Sequence, residues 1–180
     1  MNTPFETTTR KHRIVLYGHP VLRQRAQEVV EFDDDLRQFA REMFATMDEY
    51  EGIGLAAPQV DRLIRLLVIG LPKDDEDDYY YLAVVNPKIV ESSGEWNMEE
   101  GCLSIPDVRD HVTRPESITL EYDTVSGEHK TLNASGMLAR VLQHEIDHLN
   151  GILFIDHLSP VRRTLLSSKL KRLEREQQES

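Results

Sequence analysis

Apolar residues along the chain fall into two rhythms, one of helical spacing and one of strict alternation, and together they predict a mixed fold. Leu36, Phe39, Ala40, Met43, Phe44 and Met47 recur at intervals of three and four, which predicts an amphipathic helix over Leu36 to Tyr50, with Asp33 to Asp35 offering N-caps. Gly52, Gly54 and Pro58 then forbid helix and mark a loop. The continuous apolar run Ile64 to Ile69 predicts a strand covered on both faces, and a second strand is expected near Tyr80 to Asn86. Between them Pro72 and the run Asp74 to Asp78 read as a solvated hairpin tip. Ile118 to Tyr122 alternates, Ser126 and Gly127 supply a turn, and Lys130 to Leu132 returns as the paired strand. Ser135 is placed to cap a helix that runs to the Asn150-Gly151 stop, and a last helix opens at Ser159-Pro160. Ile14 to Leu16 reads as a short strand. The sum is an α+β fold of mostly antiparallel strands around a late helix, with further helices in the N-terminal half and at the C-terminus. One domain is expected over 1–180, with a polar arm over 1–12 and the C-terminal helix over 159–180.

Charge narrows the function classes. With 21 basic and 32 acidic residues the net charge is -11, which repels phosphate backbones and anionic lipid, so DNA is not an expected partner. No stretch reaches the roughly 18 apolar residues of a membrane span, and the N-terminus lacks the apolar run of a secretory signal, so a soluble cytoplasmic protein is expected. Cys102 is the only cysteine and has no partner for an intramolecular disulfide, which leaves filler, nucleophile or metal ligand as its roles.

The late helix carries the chemistry. His144-Glu145-Ile146-Asp147-His148 is an HExxH sequence, whose histidines at i and i+4 stand on one face where two imidazoles reach one ion. Glu145, displaced around the helix, sits where a general base contacts water rather than where a ligand binds. A surface helix with incidental histidines is the bland alternative. A catalytic site needs a third ligand and an open position. The metzincin extension fails because Phe154 stands where a further histidine is required. Glu174 and His157 are ligands by type, the first in a charged tail and the second without distinguishing context. Cys102 remains, in Glu99-Glu100-Gly101-Cys102-Leu103-Ser104-Ile105-Pro106, where Gly101 allows close backbone approach and Pro106 is expected to end regular pairing, so that a turn presents the thiolate.

Three segments now stand together: Gly52-Ile53-Gly54-Leu55-Ala56-Ala57-Pro58-Gln59, Glu100-Gly101-Cys102-Leu103-Ser104, and Gln143-His144-Glu145-Ile146-Asp147-His148-Leu149-Asn150-Gly151. In order and complete, they resemble the three signature motifs of the peptide deformylases, and the likeness extends more loosely from about Val15 to Leu158. The resemblance implies removal of the formyl group from the formyl-methionine of new polypeptides. It implies that Cys102, His144 and His148 bind the metal and that water on the metal attacks the formyl carbon with Glu145 moving the protons. It further implies that the Leu103 backbone N–H and the Gln59 amide meet the charge on the formyl oxygen. Fe2+ is implied as the physiological ion and Zn2+, Ni2+ or Co2+ as substitutes. An extended substrate is expected to add as a strand, with Ile53, Gly54, Glu100, Gly101, Met137 and Val141 matching the family's substrate-binding positions. Arg109 matches a position that contacts the substrate backbone or its flanking charge, against the plainer reading of a surface solubiliser. Arg114 matches as a structural ion-pair partner. Arg140 departs from the family, whose helix is usually apolar there, and either snorkels outward or trims the pocket.

The C-terminal helix concentrates Arg162, Arg163, Lys169, Lys171, Arg172 and Arg175, with Leu166, Leu170 and Leu173 at helical spacing. The leucines pack on the body or, as resemblance to deformylases with such a helix implies, the basic face docks on ribosomal RNA. Two other readings compete with the deformylase one. A zinc endopeptidase would share HExxH but take its third ligand outside the cysteine segment. A non-catalytic metal site would be closed by four ligands and need no base such as Glu145.

Overall fold

The computed structural model describes residues 10–73 and 79–179; the acidic tip 74–78 and most of the N-terminal arm lie outside the described residues. Helix α1 spans Asp34–Glu49, and the Asp33 side chain accepts from Leu36 N at 2.9 Å, so the expected cap is made. Strand β1, Gly54–Ala56, follows the glycine loop and pairs with β2, Leu66–Pro72, which pairs in turn with β3, Tyr79–Ser93. Strands β6, Ser117–Asp123, and β7, His129–Ser135, complete a five-stranded antiparallel sheet in the order β1-β2-β3-β6-β7. Helix α2 spans Gly136–Leu149 and α3 spans Pro160–Glu179.

Alternation explains how one sheet serves two helices. Successive side chains of β2 point to opposite faces. Leu67 and Ile69 therefore join Leu142, Ile146 and Leu149 of α2 in one core, while Leu66 and Val68 join Phe39, Met43 and Met47 of α1 in the other. This sandwiching is what the unbroken apolar run of β2 foretold. Helix α2 ends at Asn150, where Gly151 takes φ +73° and a Cβ would lie 2.7 Å from the Arg23 carbonyl oxygen, so the stop admits only glycine without rearrangement.

Several expectations are corrected. Ile14 to Leu16 is not a strand: Val15 N donates to Gln59 O and Tyr17 N to Ser104 O, so this segment runs as extended chain across two of the motifs with no ladder of its own. The strand expected to end near Asn86 continues to Ser93, through a register shift between Val85 and Lys88. Ser135 occupies the cap position of α2 but makes no capping side-chain bond. The largest correction concerns Cys102, which closes a strand rather than sitting on a free turn. Strands β4, Trp96–Cys102, and β5, Ile105–Arg114, form a separate two-stranded sheet. Nor does Pro106 end the pairing. Gly101 pairs with Arg109 and Cys102 with Ile105, so Pro106, Asp107 and Val108 are accommodated in an irregularity where Asp107 adopts φ +60°.

The stripe of α3 packs on the body: Leu173 is buried and Leu166 and Leu170 half-buried in a third cluster with Ile105, Val108 and Val112 of β5. Arg162 Nε donates to Asp110 Oδ2 at 2.8 Å and Lys169 Nζ to the Asp107 carbonyl at 3.0 Å. Among the described residues, no helix is long and apolar enough to cross a membrane.

Candidate metal centre

The periodicity of α2 places Met137, Arg140, Val141, His144 and Glu145 along one wall of a cavity of about 520 Å³. Strands β4 and β5 supply the opposite wall, through Glu100, Gly101, Cys102, Ile105 and Arg109, and the glycine loop closes it with Ile53 and Gly54. Glycine at position 54 leaves room for the catalytic side chain, since a Cβ there would lie 2.6 Å from Glu145 Oε1 and 2.8 Å from Val141 Cγ1 and force them to shift.

One ligand atom from each of Cys102, His144 and His148 lies within 4.8 Å of the others. Cys102 Sγ and His148 Nε2 are 3.3 Å apart. Sulfur and nitrogen bound to one tetrahedral ion, at roughly 2.3 Å and 2.0 Å, would be separated by about 3.5 Å, so the spacing suits a shared ion. The electrostatics suit a cation too. In the metal-free protein burial acts to lower the pKa of His144, but hydrogen bonds to Cys102 and Glu100 and the nearby Glu145 charge drive it well above its ordinary value. His148 is pushed well below its ordinary value by burial and by the charge of His144. Glu100 and Glu145 thus favour positive charge where a divalent ion would sit, and a cysteine sulfur with two imidazoles suits iron(II) and zinc(II) alike.

Glu100 orients the first histidine. Burial acts to raise its pKa, but hydrogen bonds from His144 and Arg114 override this and hold it down at about 2. An ionised carboxylate only accepts, so in the 2.8 Å contact with Glu100 Oε1 His144 Nδ1 must carry the proton, which leaves Nε2 for the ion. Arg114 donates Nε to Glu100 Oε2 at 2.7 Å, Nη2 to Oε1 at 3.0 Å and Nη1 to Asp147 Oδ2 at 2.8 Å. Its expected ion-pair role is therefore filled. Glu100 itself, expected among the substrate contacts, lines the cavity but commits its carboxylate to His144 and two arginines. Arg140 does not snorkel outward: it is 3% exposed and its guanidinium turns into the protein.

Glu145 is buried, and its Oε2 has no hydrogen-bond partner among the described residues. Burial raises its pKa to about 7, with the His144 charge opposing and Glu100 reinforcing the shift. Gln59 is fixed by its own oxygen, which accepts from Ala56 N at 2.9 Å, so that Nε2 points to Cys102 Sγ at 3.6 Å and Ser104 Oγ at 3.2 Å. Leu103 joins the cavity wall beside Cys102. Arg109 stands at the rim, largely exposed, its Nε donating to Glu99 Oε2 at 2.9 Å.

The rival third ligands are elsewhere: His157 Nε2 is 2.8 Å from Asp147 Oδ2, and Glu174 packs against Gly18. Reading the sequence gave no role to Ser104, which accepts from Gln59, or to Asp147, which ties Arg114 to the HExxH helix. Both lie inside the quoted motifs, and a hydroxyl two residues from the cysteine was the available signal for the first.

Cys102, His144 and Glu145 open on one cavity with His148 buried behind them, the arrangement of an HExxH hydrolase on an α+β fold. A family profile described as polypeptide deformylase matches residues 11–164. The peptide deformylase of Brucella suis biovar 1 is 48% identical over 161 residues, covering 89% of this chain and 91% of the relative. That of Wolinella succinogenes is 43% identical over 164 residues, covering 90% and 96%. Among solved structures, a peptide deformylase from Legionella pneumophila superposes with a TM-score of 0.83 at 40% identity, over 94% of this chain and 98% of its own. The Thermus thermophilus peptide deformylase gives 0.85 at 39% identity, over 92% and 99%. The chain belongs to the polypeptide deformylase family. It is an enzyme of that family, a deformylase.

Proposed function

We propose that the enzyme removes the formyl group from the N-terminal formyl-methionine of new polypeptides in the cytoplasm, consuming one water and releasing formate and a free amine. The observation that carries this reading is the convergence of Cys102, His144 and His148 within 4.8 Å beside the buried, unpartnered oxygen of Glu145. A reducing compartment fits a lone cysteine that must stay a thiolate.

Cys102 Sγ and one nitrogen of each histidine hold a divalent ion, Fe2+ by family likeness, with Zn2+, Ni2+ or Co2+ as substitutes. When bound, the ion supplies Lewis acidity that polarises the formyl oxygen and makes water a nucleophile near neutral pH. Glu145 takes the proton from water as it attacks the formyl carbon, then delivers it to the departing amine nitrogen. The burial of Glu145 beside the ligands leaves its Oε2 without a partner among the described residues and so available to the water proton. Gln59 Nε2 and the Leu103 N–H meet the negative charge that grows on the formyl oxygen. Gly54, Gly101, Met137 and Val141 leave room for an extended backbone and the methionine side chain, with Ile53 and Arg109 at the rim. Helix α3 is the ribosome-facing element: Leu166, Leu170 and Leu173 are committed to the body, while Arg163, Lys171 and Arg175 stay exposed beside Leu165. Neutralising those three residues should weaken co-sedimentation with ribosomes at low salt, and unchanged sedimentation would remove this part of the proposal.

The central test is turnover of formyl-Met-Ala-Ser by protein loaded anaerobically with Fe2+, set beside Glu145→Gln. Turnover in the parent, with metal retained and turnover lost in the variant, is the expected result. A metal-loaded parent that releases no formate overturns the reading.

A further inference from the structure

Arg140 is a buried cation that the deformylation chemistry does not require. It is 3% exposed, it sits on the cavity face of α2 between Met137 and His144, and each terminal nitrogen is engaged. Nη1 donates to Glu100 Oε2 at 2.5 Å and to the Val112 carbonyl at 3.1 Å, and Nη2 donates to the Trp96 carbonyl. The guanidinium carbon lies 4.9 Å from the centroid of the Trp96 ring. One side chain of α2 thus clasps β4 at two points and β5 at a third.

The distribution of donors on Glu100 gives this clasp a consequence. Oε2 receives Arg114 Nε and Arg140 Nη1, whereas Oε1 receives Arg114 Nη2 and His144 Nδ1. Arg114 alone would hold the carboxylate in a fork and leave it free to swing about that axis. A second guanidinium on Oε2, anchored by two backbone carbonyls and an indole face, fixes the plane of the carboxylate and keeps Oε1 aimed at His144. A metal-bound histidine is oriented through its other ring nitrogen, so whatever fixes the acceptor fixes the ligand. Arginine suits this task because its planar fork serves several acceptors in one rigid arrangement, which a lysine ammonium on a flexible stem does not.

We propose that Arg140 is a positioning residue for the metal: by pinning Glu100 Oε2 to β4 and β5 it holds His144 in the orientation that binds the ion, and so sets how tightly the ion is kept. The inference rests on the reading of Cys102, His144 and His148 as ligands. It adds that this chain has two arginines where one completes the carboxylate's pairing.

The experiment loads the parent, Arg140→Leu and Arg140→Lys with Co2+ and follows its visible absorption while a chelator competes, alongside thermal unfolding of each metal-free protein. The parent spectrum, and its loss in Cys102→Ser, tests the ligand assignment separately: a parent that binds no Co2+ through Cys102 sinks the ligand reading. For Arg140→Leu the expected result is metal retention weakened by roughly 10–100-fold with a shifted absorption band, and for Arg140→Lys a partial recovery. A folded Arg140→Leu protein that keeps Co2+ with the parent's affinity and spectrum overturns the proposal. If the leucine variant does not fold, Arg140→Lys decides: a lower unfolding temperature with unaltered affinity and spectrum makes Arg140 a purely structural strut and overturns it, whereas weakened retention upholds it. Formate release at saturating metal gives a further readout, since a misdirected His144 should lower kcat more than it raises KM.

Discussion

Cys102 Sγ and His148 Nε2 meet at 3.3 Å although 46 residues separate them in sequence. Strand β4 delivers the sulfur and the last turn of α2 the nitrogen, so the ligand set exists only once the hairpin and the helix are packed together. Replacing Cys102 by serine keeps the shape but removes the soft sulfur donor. Metal content after dialysis, measured by atomic absorption, should fall to about one-tenth of the parent's or less, with the unfolding temperature of the metal-free protein little changed.

Glu145→Gln should retain the ion and lose about 10²- to 10⁴-fold in kcat/KM, because the amide can neither accept the water proton nor return it. A formate-release assay on metal-matched samples reads this directly.

The same carboxyl group makes the metal-free protein sensitive to pH. Glu145 ionises near 4.5 when exposed but holds its proton to about 7 in the fold, so between those values the native state binds more protons than the unfolded one. Its contribution to stability is full below pH 4.5 and declines as pH rises to about 7, by about 3 kcal/mol at most. Urea titrations of the metal-free protein across this range should show the decline, and Glu145→Gln should flatten it.

Glu100 behaves in the opposite sense. Its carboxyl is held at about 2 against an ordinary 4.5, so the stability it contributes is present above 4.5 and is lost as the pH falls towards 2. Glu100→Gln should remove that acid limb. It should also destabilise the protein at neutral pH by about 3–5 kcal/mol, because Arg114 and Arg140 would lose their buried counter-charge. Chemical denaturation at two pH values separates the two effects.

Gly54→Ala places a methyl group 2.6 Å from Glu145 Oε1. The carboxylate, at the end of a flexible side chain, should swing aside, so kcat should fall at least about tenfold while the metal stays bound. Steady-state kinetics with metal analysis checks both halves.

Much of this was legible in the residues. HExxH fixed the face of α2 because helical periodicity leaves two histidines four apart no other arrangement, and the alternation of β6, its return as β7 and the stripe of α1 carried through to the fold. The β4–β5 hairpin was hidden for a physical reason: its inward positions include Glu100, Asp110 and Arg114, charged residues that are buried because they neutralise one another or their neighbours across elements. A pattern of apolar alternation cannot register a strand whose buried face is ionic. For Arg140 the sequence left two courses open, outward or into the pocket wall, and the choice is made only when Glu100, 40 residues upstream, is brought beside it.

The grip of α3 on β5 joins the protein's periphery to its reaction chamber. Lys169 holds the carbonyl of Asp107, a residue of the cavity rim, and Arg162 holds Asp110, while Leu173 is buried in the same cluster as Ile105, Val108 and Val112 of the strand. A macromolecule that seats on the outward basic face leaves this brace intact. Loosening the helix from the strand, by contrast, would slacken the chamber's edge.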